Sequence, residues 1–100
     1  MRLKIMLPDE IFLSEEVTKI VAEAENGFFC LLPRHVDFAA ALVPGVFSYV
    51  GGEGEMYLAI DGGTIVKRGS EVLVSTRNAV KSPELGTIKE VVVKQFEEID

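Results

Sequence analysis

The stretch 45-GVFSYVGGEGEMYLAIDGGTIVKRGSEVLVST-76 decides the fold class. Its apolar runs are separated by three turn signals, namely GGEGE at 51–55, DGG at 61–63 and KRGS at 67–70. Two apolar runs that flank a glycine-rich loop are typical of a β-hairpin. Short strands with a turn signal about every ten residues indicate a sandwich or barrel of antiparallel strands.

The first quarter of the chain has the same strand periodicity. Apolar residues alternate with other residues on both sides of a predicted turn at 8–10 (PDE), and a second turn is predicted at 25–27 (ENG). Alternation of this kind indicates strands with one buried face. The residues predicted to face the core are Leu3, Ile5, Leu7, Thr18, Ile20, Ala22 and Ala24.

The pattern changes to helical after a break at Ser82-Pro83. Residues 87–90 (TIKE) have the form of a helix capping box, and a 13-residue helix is predicted from Ile88. No stop signal precedes Asp100, which favours a natural chain that continues beyond it. The apolar stripe packs on the domain's own sheet or on another helix or subunit, and both alternatives stay open. This interaction face consists of Ile88, Val91, Val92, Phe96 and Ile99. The predicted division is a β domain over 1–80 and the start of a helical region over 81–100.

Composition excludes several classes of function. The apolar fraction of 48% and the charged fraction of 26% are those of one folded domain. A net charge of −6 argues against binding to nucleic acid and to an anionic membrane surface. The longest apolar run, 38–43, is far shorter than the roughly 20 residues that span a bilayer. A single cysteine excludes an internal disulfide. We expect a soluble cytoplasmic chain with no direct membrane insertion.

The chain's single cysteine and single histidine are the first candidates for chemistry. Cys30 and His35 flank Pro33, and Asp37 follows closely. One His and one Cys do not make a metal site. A nucleophile requires an exposed thiolate, whereas Cys30 lies in the apolar run 28–32 and is predicted to be buried. The glycine-rich loops match no phosphate-binding motif. Chemistry alone therefore predicts a small acidic β domain that binds or assembles, without a cofactor or metal.

Two segments then carry a family resemblance. The first has Gly27, Leu31-Leu32-Pro33, His35, Ala41-Leu42 and Pro44-Gly45 in order. The second has Tyr57 to Val66 around Gly62-Gly63, followed by Val72-Leu73-Val74. With the opening Leu3 to Pro8, Phe12 and Val17, the chain resembles the epsilon subunit of bacterial F-type ATP synthases over about residues 1–79.

This resemblance implies a fold and a function. The fold is a mainly β, flattened antiparallel β-sandwich of about ten strands with a C-terminal α-helix. The function is that of a non-catalytic rotor subunit in the central stalk. It binds the gamma subunit, contacts the polar loops of the rotor-ring subunit c, and couples ion translocation to ATP synthesis or hydrolysis. The helical region of this family can inhibit hydrolysis. The implied location is the cytoplasmic face of the bacterial inner membrane, as a peripheral part of the complex.

The departures from the family pattern concentrate in one loop. The family has glycine where this chain has Arg34 and proline where it has Asp37, and a glutamate implicated in ring contact is Phe28 here. These changes point to a divergent branch, such as the sodium-linked rotary ATPases. We expect Arg34, His35 and Asp37 at a tip that faces another subunit, with 28–32 and 38–42 buried. The rotor-ring contact residues implied are Phe28, Arg34, His35 and Asp37.

Two other classes of function are compatible with the residues. An unrelated β-sandwich adaptor with a C-terminal interaction helix would not bind ATP synthase stalk proteins. A small hydrolase that uses His35 with Asp37 or Cys30 would have a cleft around His35 and would lose activity on His35→Ala.

Overall fold

The computed structural model describes residues 1–82, and every regular element in this part of the chain is a β-strand. The predicted helix and its interaction face from Ile88 to Ile99 lie outside the described residues. The seven strands are β1 (Arg2–Met6), β2 (Ile11–Ala24), β3 (Gly27–Leu31), β4 (Phe38–Gly51), β5 (Gly54–Arg68), β6 (Glu71–Ser75) and β7 (Ala79–Ser82).

The strands form one sheet that closes on itself like a barrel. Their order is β1-β6-β5-β4-β2-β3, β1 also pairs with β2, and β7 pairs with β5. The mainly β prediction is confirmed for residues 1–82, but these residues form seven strands rather than about ten, and β1 pairs with β6 in parallel while the other pairs are antiparallel. The count is lower because β2, β4 and β5 are 14 or 15 residues long. A long strand that changes partners along its length replaces two short ones.

The β4–β5 hairpin is the longest ladder of the sheet. Its pairing keeps one register from Gly51 opposite Gly54 to Phe38 opposite Lys67, with a gap only at Val43 and Gly62. The hairpin was predicted correctly, but its loop consists of Gly52 and Glu53 rather than five residues. Gly54 has a φ of +98°, which glycine adopts without steric cost after a tight turn.

The predicted turn at 61–63 is wrong, because β5 continues through it. Here β5 exchanges one neighbour for another. Residues 57–60 pair with β7, and residues 64–68 pair with β6. Gly63 has a φ of +125°, and a Cβ at this position would lie 1.9 Å from the Ser75 carbonyl oxygen. The glycines therefore permit a close backbone approach inside a strand, where the sequence indicated a chain reversal.

The core lies inside the closed sheet. The predicted inward face of the N-terminal strands is confirmed for Leu3, Ile5, Ile20, Ala22 and Ala24, while Leu7 is half-buried. Thr18 is exposed and Val17 is buried instead, because a register shift between Val17 and Lys19 changes which residues face inward. The largest fully buried side chains are Tyr49, Phe47, Lys67, Leu3, Ile5, Ile20, Leu31, Leu58, Ile60, Ile65 and Val17.

Candidate partner-binding loop

The loop 32–37 joins β3 to β4 and begins with a tight turn. The His35 backbone N–H donates to the Leu32 carbonyl oxygen at 2.9 Å, so that Pro33 and Arg34 occupy the corner. Arg34 is exposed, and Val36 has 75% of its surface accessible. Leu32, at 51% exposure, and Pro33 are exposed as well, so the loop presents a cationic side chain among several apolar ones.

His35 is half-buried and faces the protein rather than the solvent. Its ring packs edge-on against the ring of Phe38, with the two centroids 5.6 Å apart. The ring of Phe38 in turn packs against that of Phe29, with a centroid distance of 5.0 Å. The ring Nδ1 lies 2.8 Å from the Val36 carbonyl oxygen. A carbonyl can only accept, so Nδ1 carries a hydrogen and donates it. The aromatic contacts and this hydrogen bond fix the orientation of the imidazole.

Asp37 connects the loop to the turn between β5 and β6. Its Oδ1 accepts a hydrogen bond from the Gly69 backbone N–H at 2.9 Å. Gly69 has a φ of +58°, a conformation that favours glycine. Because the Asp37 carboxylate bonds to Gly69 and the His35 Nδ1 to Val36, the two side chains are not arranged as an acid–base pair.

Lys67 holds the same loop from the interior of the domain. The sequence analysis did not identify this residue. Its Nζ donates to the His35 carbonyl oxygen and to the Gly69 carbonyl oxygen, both at 2.7 Å. Only 1% of the residue is exposed. The sequence placed Lys67 in a turn, whereas it lies near the end of β5 on the inward face that Ile65 also occupies. The alternation along 64–68 was the signal that could have found it.

Phe28 and Cys30 lie on the outward face of β3. Phe28 is 66% exposed, and Cys30 and Leu32 are also exposed, so the predicted burial of 28–32 is wrong for these three residues. Within the described chain β3 pairs only with β2, and alternate residues of an edge strand face away from the core. The predicted burial of 38–42 likewise holds for Leu42 but not for Ala39 and Ala41. The structure brings His35, Asp37 and Lys67 together, while no hydrogen bond or ring contact among residues 1–82 joins Phe28 to them.

A second exposed region lies on the outward side of β5, β6, β1 and the start of β2. Val66 and Leu73 are direct cross-strand partners there, as are Met6 and Ile11 at the end of β1. All four side chains are at least 36% exposed. We call these four residues the outer face. Beside it is a cavity of about 520 Å³, lined by Met6, Leu7, Pro8, Asp61, Gly63, Thr64, Ser75, Thr76 and Arg77.

A polar cluster ties the last described strand to β2. Tyr49 Oη donates to Glu15 Oε2 at 3.3 Å, and Lys81 Nζ donates to the same oxygen at 3.4 Å. Burial raises the pKa of Tyr49 above its usual value. Burial pulls the pKa of the Lys81 ammonium down, but Tyr49 and Glu15 outweigh it and raise that pKa.

No three His, Cys, Asp or Glu side chains of residues 1–82 are grouped to hold an ion. Nor do these residues contain a helix long and apolar enough to cross a bilayer.

Residues 1–82 match a known family. The family model described as "ATP synthase, Delta/Epsilon chain, beta-sandwich domain" matches residues 1–82. The chain belongs to this family. The resemblance to epsilon subunits inferred from the sequence is thereby confirmed, and the closed sheet described above is the family's β-sandwich domain.

Curated relatives of this ATP synthase family carry the epsilon name. The chain is 35% identical over 79 residues to "ATP synthase epsilon chain 2" of Syntrophotalea carbinolica, covering 79% of this chain and 57% of the relative. It is 29% identical over 85 residues to the "ATP synthase epsilon chain" of Nitratidesulfovibrio vulgaris, covering 85% of this chain and 63% of the relative. The chain thus spans about three fifths of the length of these two relatives.

Solved structures of ATP synthases share the fold. A chain of the Euglena gracilis mitochondrial ATP synthase matches with a TM-score of 0.76 at 21% identity, over 95% of this chain and 76% of that one. A chain of the Tetrahymena thermophila central stalk and c-ring structure matches with a TM-score of 0.65 at 12% identity, over 80% and 65%. At these identities the matches establish the fold of the epsilon-type domain and nothing finer.

Proposed function

We propose that the chain is a non-catalytic central-stalk subunit of an F-type ATP synthase. In this role it binds gamma, contacts the rotor ring and couples ion translocation to ATP synthesis or hydrolysis. Family membership and the ATP synthase assemblies in which the fold occurs support the proposal. The observation that carries it is the loop 32–37, which side chains hold in place while Arg34 and Val36 remain exposed. An anchored, exposed loop is suited to contact rather than to chemistry.

The outer face is the proposed binding surface for gamma. Val66 and Leu73 lie opposite each other, and Met6 and Ile11 form a second exposed apolar pair beside the cavity. Exposed apolar side chains that are grouped on one side of a domain are typical of protein interfaces. Burying them against an elongated helical partner removes apolar area from water, which drives the association.

The loop 32–37 is the proposed contact with subunit c of the ring. Arg34, His35 and Asp37 remain the predicted contact residues, with Phe28 beside them on β3. The helical region predicted over 81–100 is proposed to begin after β7, which ends at Ser82. Its face from Ile88 to Ile99 is proposed to pack on the domain, on a second helix or on another subunit. The proposed location is the cytoplasmic face of the bacterial inner membrane, as a peripheral subunit.

Calorimetric titration of the chain into gamma from the same source tests this function. We expect sub-micromolar, one-to-one binding with a negative heat-capacity change, because apolar burial gives that sign. Absence of binding to folded gamma, by this chain and by a version extended to the length of its relatives, would contradict the proposal. It would favour an unrelated adaptor module instead.

A further inference from the structure

The side chain of Lys67 is a buried cation without a carboxylate partner among residues 1–82. No carboxylate oxygen of the described chain lies within 4.0 Å of its ammonium. Its acceptors there are two backbone carbonyl oxygens, those of His35 and Gly69. Carbonyl dipoles compensate a buried charge only in part, so the position carries a desolvation cost.

The surroundings of Lys67 do not require a charge. Ile65 precedes it on the same inward face of β5 and is fully buried. An apolar side chain of similar length fills such a site without the desolvation cost, and replacing buried charges by apolar groups is often neutral or stabilising. The stability of the sheet therefore does not explain why an ammonium stands here.

The hydrogen bonds of Lys67 do explain it, because they join two separate loops. Lys67 holds the carbonyls of His35 and Gly69, and Asp37 holds the Gly69 N–H. Lys67 and His35 are 32 residues apart along the chain, and so are Gly69 and Asp37. The hydrogen bonds of Lys67 and of Asp37 thus both fix the loop to the sheet. The position of the His35 carbonyl in the middle of the loop depends on Lys67.

We propose that Lys67 is the positioning residue of the loop 32–37. It fixes the loop in the conformation that presents Arg34 and Val36 to the rotor ring, without touching the ring itself. The inference rests on the proposed contact between this loop and the ring, and it assigns the orientation of that contact to one buried side chain.

The test compares Lys67→Met with Lys19→Met. Met fills the space of the lysine stem and removes both hydrogen bonds, whereas Lys19 is exposed on β2 and serves as the matched control. Four quantities are measured for each protein: the thermal midpoint, the amide hydrogen exchange of His35 and Gly69, the affinity for the purified ring and the affinity for gamma.

We expect a split result for Lys67→Met. The thermal midpoint stays unchanged or rises, the two amides exchange at least about tenfold faster, and ring affinity falls about tenfold, the equivalent of one charge-assisted hydrogen bond. Gamma affinity is unchanged, and Lys19→Met behaves as wild type in all four measurements. Asp37→Ala, which removes the other anchor without entering the core, gives the same loss of protection at the Gly69 amide.

Two results would overturn the inference. A lower midpoint of Lys67→Met with unchanged ring affinity would make Lys67 a residue of the fold alone. Unchanged amide exchange and unchanged ring affinity of Lys67→Met would show that the loop keeps its conformation without Lys67. If the wild-type chain binds gamma but not the ring, the ring contact and this inference fail together while the gamma-binding role stands. Binding to neither partner would contradict the proposed function as a whole.

Discussion

The outer face and the loop 32–37 are both exposed, but they are fixed in different ways. The outer face lies on paired strands, so the backbone ladder between Val66 and Leu73 determines where each side chain points. The loop has no ladder and depends on side chains that reach it from elsewhere, above all Lys67. The positions of side chains on paired strands are therefore set by residues close in the sequence, as for Val66 and Leu73. The orientation of the loop is set by a residue that is distant in the sequence.

The largest expected effect comes from breaking the sheet beneath the outer face. Gly63→Ala places a Cβ against the Ser75 carbonyl oxygen at a positive φ, so we expect destabilisation by about 3 kcal/mol or more. Gly52→Ala is the matched control, because a Cβ there meets no atom within 4 Å. Urea unfolding of the two variants measures the difference. Equal stability would contradict the close approach of β5 to β6.

The pair Gly62-Gly63 shows how much of the fold can be predicted from the sequence alone. Alternation predicted the strands around Leu3, Ile5 and the β4–β5 hairpin because a half-buried strand must alternate. It did not predict the change of partners at Gly62 and Gly63, since a glycine needed for a close approach looks the same as one needed for a turn.

The candidate site likewise has residues that the sequence identified and residues that it did not. His35 and Asp37 are neighbours in the sequence and could be selected from it. Lys67 could not be assigned to them, because its contact with His35 spans 32 residues. The exposure of Cys30 was also missed, since an apolar run does not reveal that its strand lies at an edge.

The second effect separates the two surfaces by partner. Leu73→Glu places a charge in the outer face, and we expect gamma affinity to fall by at least about a hundredfold because a buried unpaired carboxylate is costly. Val36→Glu places the same charge on the loop, where we expect weaker ring binding and unchanged gamma binding. Titrations of both variants against both partners, with thermal midpoints as the folding control, measure this. A fall in gamma affinity for both variants alike would show that the two regions form one surface.

The smallest effect concerns Glu16, which lies away from both surfaces. Its hydrogen bond from the Met1 amino group, at 2.8 Å, lowers the pKa of the carboxyl below its usual 4.5. A lowered pKa in the folded state gives a stability contribution that is present above pH 4.5 and is lost as the pH falls through the lowered pKa. Glu16→Gln should therefore unfold slightly more easily than wild type at neutral pH and equally at low pH. A difference that grows on acidification would contradict this sign.

The central claim is that one domain uses two separately built surfaces for two partners. The direct measurement is native mass spectrometry of the chain mixed with gamma and with the purified ring, singly and together. We predict that the chain bound to gamma still binds the ring, and that all three form one complex with a single copy of the chain. Displacement of gamma by the ring would contradict two separate surfaces. Failure of the gamma-bound chain to bind a ring that the free chain does bind would contradict them as well.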